Sequence, residues 1–167
     1  MNQTKLKGNP VHLVGDVLEA GTEAPNFTYV KEDLSEGTLY GHGDAIKVII
    51  AVPSIDTGIC QMETRRFNSE LGDKKGVKGI VVSKDLPMAH KRFCAAEGIE
   101  DVETASDFRG SFANDYKTLI TDGPMKGLSA RVVFVVDGEN KIRYTEVVDD
   151  ITHEPNYEEV MKAVEAI

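Results

Sequence analysis

The spacing of hydrophobic residues changes as the chain is read. Between Leu6 and Val30 the apolar stretches VHLV and FTYV are separated by Gly15, Gly21 and Pro25. These residues break any helical repeat and predict a β-rich lead-in. IKVIIAV, Ile46 to Val52, is apolar and β-branched almost throughout, the pattern of a strand covered on both faces. Pro53 has no N–H for a ladder and ends it. From Gly58, Ile59, Met62, Phe67 and Leu71 recur loosely at helical spacing, with charges and helix formers filling the gaps to Glu70, which predicts a helix of about three turns.

VKGIVV, Val77 to Val82, predicts a second buried strand. DLPMAHKRFCAAEG predicts a second helix, with Asp85 as a candidate cap, Pro87 in the first turn and Gly98 as the stop. His90, inside HKR, reads as part of its solvated face. VETAS and FANDY give weaker signals. In ARVVFVVDGENKIRYTEVV, the turn residues Asp137, Gly138 and Asn140 lie between two β-prone runs and predict a hairpin. NYEEVMKAVEAI has Asn156 and Glu159 at capping-box spacing and an apolar stripe of Tyr157, Val160, Met161 and Val164, so a closing amphipathic helix is expected. GHGD, Gly41 to Asp44, and TDGPMKG read as turns.

Strands first, then strand, helix, strand, helix, hairpin and helix describe an α/β chain with a mixed central sheet and helices on both faces. At 167 residues, the expectation is a single domain over 1–167 with one hydrophobic core. A net charge of -9 argues against a grip on nucleic acid or anionic membrane, both of which need clustered Lys and Arg. MNQTKLKGNPVHLV lacks a signal peptide's apolar core, and no run approaches the ~20 apolar residues of a membrane span, so a cytoplasmic address is expected. Two cysteines, Cys60 and Cys94, suit neither a disulfide scaffold nor a zinc ribbon.

A strand ending at Pro53 and a helix starting near Thr57 or Gly58 place Cys60 in a first helical turn. Free backbone N–H groups and the positive dipole end favour an anion there, such as a thiolate. Thr57 can cap the helix or hydrogen-bond the sulfur, and one hydroxyl does not serve both at once. The local pattern equally fits a cysteine packed as a small hydrophobe. In SARVVFVV, both strand faces read as covered, so Arg131 is expected to point inward near the strand end, in need of an anion. That anion is either a thiolate or one of the many carboxylates.

PSIDTGIC resembles the peroxidatic signature of the peroxiredoxins, specifically of the thiol peroxidase subfamily. DLPMAHKRFCAAEGI, DGPMKGLSARVVFVVD and ITHEPNYEEVMKAV resemble it in the same order, so the likeness spans nearly the whole chain. It implies a thioredoxin-like three-layer sandwich with an N-terminal β-hairpin, and an atypical two-cysteine enzyme. Cys60 is then the peroxidatic cysteine, Thr57 its hydrogen-bonding neighbour, Pro53 the shield over the pocket, Arg131 the fixing cation and Cys94 the resolving cysteine. It further implies hydroperoxides as substrates, with a leaning toward alkyl ones, thioredoxin as reductant in place of a bound cofactor, and a homodimer. Closing the Cys60–Cys94 loop is worth roughly 4 kcal/mol in the chain-entropy picture. Cysteines on two helices must come within ~7 Å between Cα atoms, so both helix ends are expected to unravel, eased by Gly58 and Gly98.

Three other readings compete. His90 and Cys94, four apart on a helix, can contribute to a metal site with Cys60. A cysteine hydrolase would use Cys60 with His12, His42, His90 or His153 as base. A redox-sensing protein would keep both cysteines but need neither Arg131 nor Pro53.

Overall fold

A computed structural model describes residues 1–167. The lead-in begins as a hairpin, β1 (Gln3–Leu6) and β2 (Asn9–His12), turned at Lys7 (φ 50°) and Gly8 (φ 85°). Two successive positive φ values make the primed turn whose twist matches the flanking strands. VHLV contributes only its first two residues to β2, because Leu13 leaves the hairpin for an isolated bridge to Ile120. FTYV supplies β3 (Thr28–Val30), which pairs with β4 (Glu36–Thr38).

The main sheet is completed by β5 (Ile46–Ala51), β6 (Val77–Ser83), β7 (Val102–Ser106), β8 (Val132–Val136) and β9 (Ile142–Val147). Its order is β4-β3-β7-β6-β5-β8-β9. β5, β6 and β7 run parallel, while β3 and β8 flank them antiparallel. The weakly signalled VETAS is thus an inner strand. The predicted β8–β9 hairpin forms, its turn held by the Asp137 carboxylate, which accepts from the N–H groups of Glu139 and Lys141 at 2.9 Å each.

Alternate residues of each inner strand face opposite layers. Val48, Ile50, Val81, Val133 and Val135 pack against α1 (Gly58–Gly72), α2 (Pro87–Glu97) and α4 (Tyr157–Glu165). Ile49, Ala51, Ile80, Val82, Val132 and Phe134 pack against the short α3 (Phe112–Asp115), which FANDY forms, and against the lead-in. Phe67, fully buried, fastens α1 to its layer, a burial worth about 1.5–3 kcal/mol. α1 runs two residues past Glu70 because Leu71 still finds a place in the core. The parallel strands deliver the β5–α1, β6–α2 and β7–α3 connections to one edge of the sheet, where open α/β sheets place their chemistry. No helix is long and apolar enough to cross a membrane.

Candidate active site

At that edge, the Val52 N–H still donates to the Val82 carbonyl at 3.0 Å, and buried Pro53 ends the ladder. The next residues form a turn closed by the Thr57 N–H and hydroxyl, which both donate to the Ser54 carbonyl, at 3.3 and 3.1 Å. Thr57 is the N-cap of α1, in extended conformation, and its hydroxyl oxygen accepts from the Cys60 N–H at 3.4 Å. Of the two roles open to Thr57, the structure therefore realises the cap.

Cys60 lies in the first turn of α1 and is fully buried. Burial alone would suit a small hydrophobe, but the sulfur is not in apolar company only. Arg131, just ahead of β8 and 2% exposed, donates from Nη1 to Cys60 Sγ at 3.3 Å and to Glu63 Oε1 at 2.7 Å. Its Nε and Nη2 donate to the Ile151 carbonyl at 2.9 and 2.8 Å. A guanidinium has five N–H bonds; these contacts engage four and leave one on Nη2. The two partners weighed for Arg131, sulfur and carboxylate, are both present.

Glu63 was not anticipated. It lies three residues after Cys60, on the same helix face, and that spacing was its only signal. Glu63 is fully buried and its Oε2 has no hydrogen-bond partner. Burial pushes its carboxyl up to about 7, against the opposing pull of Arg131.

Cys94 lies in the third turn of α2, nearly buried. Its carbonyl accepts the N–H groups of Gly98 and Ile99, and Gly98 takes the left-handed conformation (φ 67°) that ends the helix. Burial, reinforced by the Glu32 carboxylate, pushes the Cys94 thiol up to about 11. Both cysteines are free thiols within one apolar cluster of α1, α2 and the sheet.

Two expectations for α2 fail. Asp85 does not cap it: the N-cap is Leu86, without a side-chain bond. Asp85 reaches instead to the β5–α1 turn, accepting from Ser54 Oγ at 2.7 Å and from the Ile55 N–H at 2.9 Å. His90 is fully buried, while Lys91 and Arg92 beside it are exposed. Its Nε2 lies 2.8 Å from Ser83 Oγ, which donates its single proton to Asp85. Nε2 therefore carries the histidine proton, and Nδ1 is left without a partner. An inward polar partner drew His90 into the layer.

The metal and hydrolase readings find no support in this arrangement. No group of three His, Cys, Asp or Glu side chains is placed to hold a metal ion. His12 pairs with Asp122, His42 with Tyr29 and Glu103, His90 with Ser83 and His153 with Asp149, so no histidine reaches Cys60.

A thiol at a helix N-terminus, clamped by a buried arginine at the strand-end edge of a thioredoxin-like sheet, defines a cysteine-based redox protein. The Redoxin family model matches residues 19–161. The chain is 46% identical to a thiol peroxidase of Leptospira interrogans (serogroup Icterohaemorrhagiae, serovar copenhageni) over 99% of both chains. It is 47% identical to the thiol peroxidase of Aquifex aeolicus, covering 97% of this chain and 96% of that one. A crystal structure of a peroxiredoxin-like protein from Aquifex aeolicus superposes with a TM-score of 0.95 at 46% identity, covering 100% and 98% of the two chains. The chain belongs to the thiol peroxidase family of peroxiredoxins, and is an oxidoreductase with thiol-dependent peroxidase activity.

Proposed function

We propose that this chain, working as a single domain, reduces hydrogen peroxide and alkyl or lipid hydroperoxides through Cys60, closes a Cys60–Cys94 disulfide and is recycled by thioredoxin. The observation that carries this reading is the Arg131 Nη1 contact of 3.3 Å to the Cys60 sulfur. A cation so placed faces the reacting sulfur, and its remaining Nη2 hydrogen suits the oxygens of a bound peroxide.

In the first step, the Cys60 thiolate attacks the nearer peroxide oxygen. The S–O bond forms as the O–O bond breaks, sulfur is oxidised to the sulfenic acid, and the departing alkoxide or hydroxide takes a proton to leave as alcohol or water. Full ionisation raises the reactive fraction of an ordinary cysteine only ~30-fold at neutral pH. The larger contribution is the stabilisation of charge developing across the O–O bond by Arg131 and the N–H groups of the first turn. Pro53 shields the pocket, and Thr57 holds the turn that presents the sulfur.

In the second step, Cys94 attacks the sulfenic sulfur, the disulfide forms, and the displaced hydroxyl leaves as water with the Cys94 proton. A thiol pushed up to about 11 stays protonated at neutral pH, so peroxide meets Cys60 first. An external dithiol, for which we propose thioredoxin, then returns both thiols and is itself oxidised. Reducing equivalents thus come from a protein partner, with no bound cofactor.

We further propose a cytoplasmic homodimer. Met62 in α1, Leu86 and Met88 at the start of α2 and Phe108 after β7 are exposed apolar side chains, and they suit an apolar contact between two copies. Sedimentation of the wild-type chain against Met88→Lys tests that contact.

The decisive experiment is mass analysis after one equivalent of hydroperoxide. Loss of two hydrogens, with a peptide joining Cys60 to Cys94, is the expected result. A stable sulfenic acid on Cys60 or a disulfide between chains overturns the intramolecular step. An unmodified Cys60 overturns the reading altogether.

A further inference from the structure

The N-terminal hairpin lies outside the residues that touch sulfur, yet its hydrogen bonds lead to Arg131. The guanidinium is aimed by one backbone oxygen, since Nε and Nη2 both donate to the Ile151 carbonyl and thereby turn Nη1 toward Cys60 and Glu63. That carbonyl belongs to the Ile151–Thr152 peptide. The N–H at the other end of this peptide donates to Asp150 Oδ1 at 2.9 Å, and the Thr152 hydroxyl donates to the same oxygen at 2.7 Å. The Asp150 carboxylate is in turn gripped by the hairpin turn, with the Lys7 N–H at 3.2 Å on Oδ1 and the Gly8 N–H at 2.9 Å on Oδ2. Two further bonds hold hairpin and segment together, the Ile151 N–H to the Lys5 carbonyl and the Thr4 hydroxyl to the Val148 carbonyl, both 2.8 Å.

The geometry points to Asp150 as a positioning residue for peroxide reduction: it fixes, against the hairpin turn, the peptide whose oxygen orients Arg131. The positive φ values of Lys7 and Gly8 turn two successive N–H groups toward one carboxylate, as in an anion-holding backbone nest. A negative charge on the N–H side of the Ile151–Thr152 peptide also strengthens its oxygen as an acceptor, because hydrogen bonds in series polarise one another. The hairpin thus belongs to the active-site scaffold and is more than a covering of the sheet.

This inference rests on the reading of Arg131 given above, and a double-mutant cycle separates the two. Single-turnover peroxide reduction is measured in wild type, Asp150→Ala, Arg131→Met and the double variant, alongside alkylation of Cys60 by iodoacetamide. Lys7 and Gly8 are exposed residues, so water can reach the hairpin turn and replace the lost carboxylate. Thr4→Val, which keeps the β-branched shape and removes only the bond to Val148, is the second probe of hairpin docking.

The expected result is a loss of about tenfold or more for Asp150→Ala, as a displaced catalytic cation produces, with a much smaller change in alkylation. The same substitution then has almost no effect in the Arg131→Met background, and Thr4→Val gives a smaller loss in the same direction. An Asp150→Ala loss that persists undiminished without Arg131, or that alkylation matches, overturns the positioning role. If Arg131→Met itself leaves peroxide reduction intact, it is the reading of Arg131 that fails.

Discussion

Arg131 stands between two groups that compete for one positive charge, the Cys60 sulfur and the Glu63 carboxylate. Removing it in Arg131→Met takes away a donor from the place where negative charge develops, an effect of about a hundredfold or more in comparable sites. Peroxide reduction should fall by more than the ~30-fold that thiolate fraction can explain; stopped-flow rates that track the thiolate fraction alone would contradict this. Two buried residues, Glu63 and His90, make opposite contributions to stability against pH. Glu63, raised from 4.5 to about 7, binds its proton more tightly when folded. Its contribution is full below 4.5 and is lost as pH rises through about 7. His90 is lowered from 6.5, chiefly by burial, so its contribution is present above 6.5 and is lost as pH falls. The two slopes oppose each other in the wild-type chain. Glu63→Gln should leave stability rising with pH across this window, and His90→Gln should leave it falling, as denaturant melts will report. Equal slopes in both variants would remove this account.

At the scale of elements, Asp85 joins the turns that precede α1 and α2, the helices bearing the two cysteines. Its bonds to Ser54 and Ile55 hold the β5–α1 turn, and through Ser83 it is linked to His90 in the body of α2. Because charge-assisted hydrogen bonds contribute about 1.5–3 kcal/mol, Asp85→Ala should lower stability by roughly that amount. It should also speed conversion of the Cys60 sulfenic acid to the disulfide, since the segments that must move are less tied. Quench-flow mass analysis measures the second effect, and an unchanged or slower closure would show that Asp85 does not restrain the movement. The sequence allowed Asp85 to be read as a cap because a carboxylate beside a helix start is a local signal. A competing partner two connections away, in the β5–α1 turn, leaves no such signal. α4 was legible as far as its N-cap, where Asn156 accepts from the Glu159 N–H at 3.2 Å, but the return bond of the expected capping box is not made, because the Asn156 N–H donates to the Glu146 carboxylate on β9 instead.

Across the whole molecule, the reduced state keeps both cysteines inside ordered helices, Cys60 under a Thr57 cap and Cys94 carrying the closing bonds of α2. For the disulfide proposed above, the expectation is that these two ends open locally. Hydrogen exchange in the oxidised form should therefore quicken in the first turn of α1 and the last turns of α2, while β5, β6 and β8 stay protected. Uniform protection in both redox states would mean that the disulfide forms without such opening. The alternation of strands and helices, the corner that carries Cys60 and the inward direction of Arg131 were determined by the sequence alone, since hydrophobic period, proline and helix-start chemistry are properties of neighbouring residues. Only the tertiary structure decided that Glu63 shares the arginine, that His90 is buried, and that Ile151 and Asp150 aim the guanidinium. Those roles depend on which distant backbone and side-chain atoms the folded sheet brings within hydrogen-bond reach, and a backbone carbonyl has no letter in the sequence.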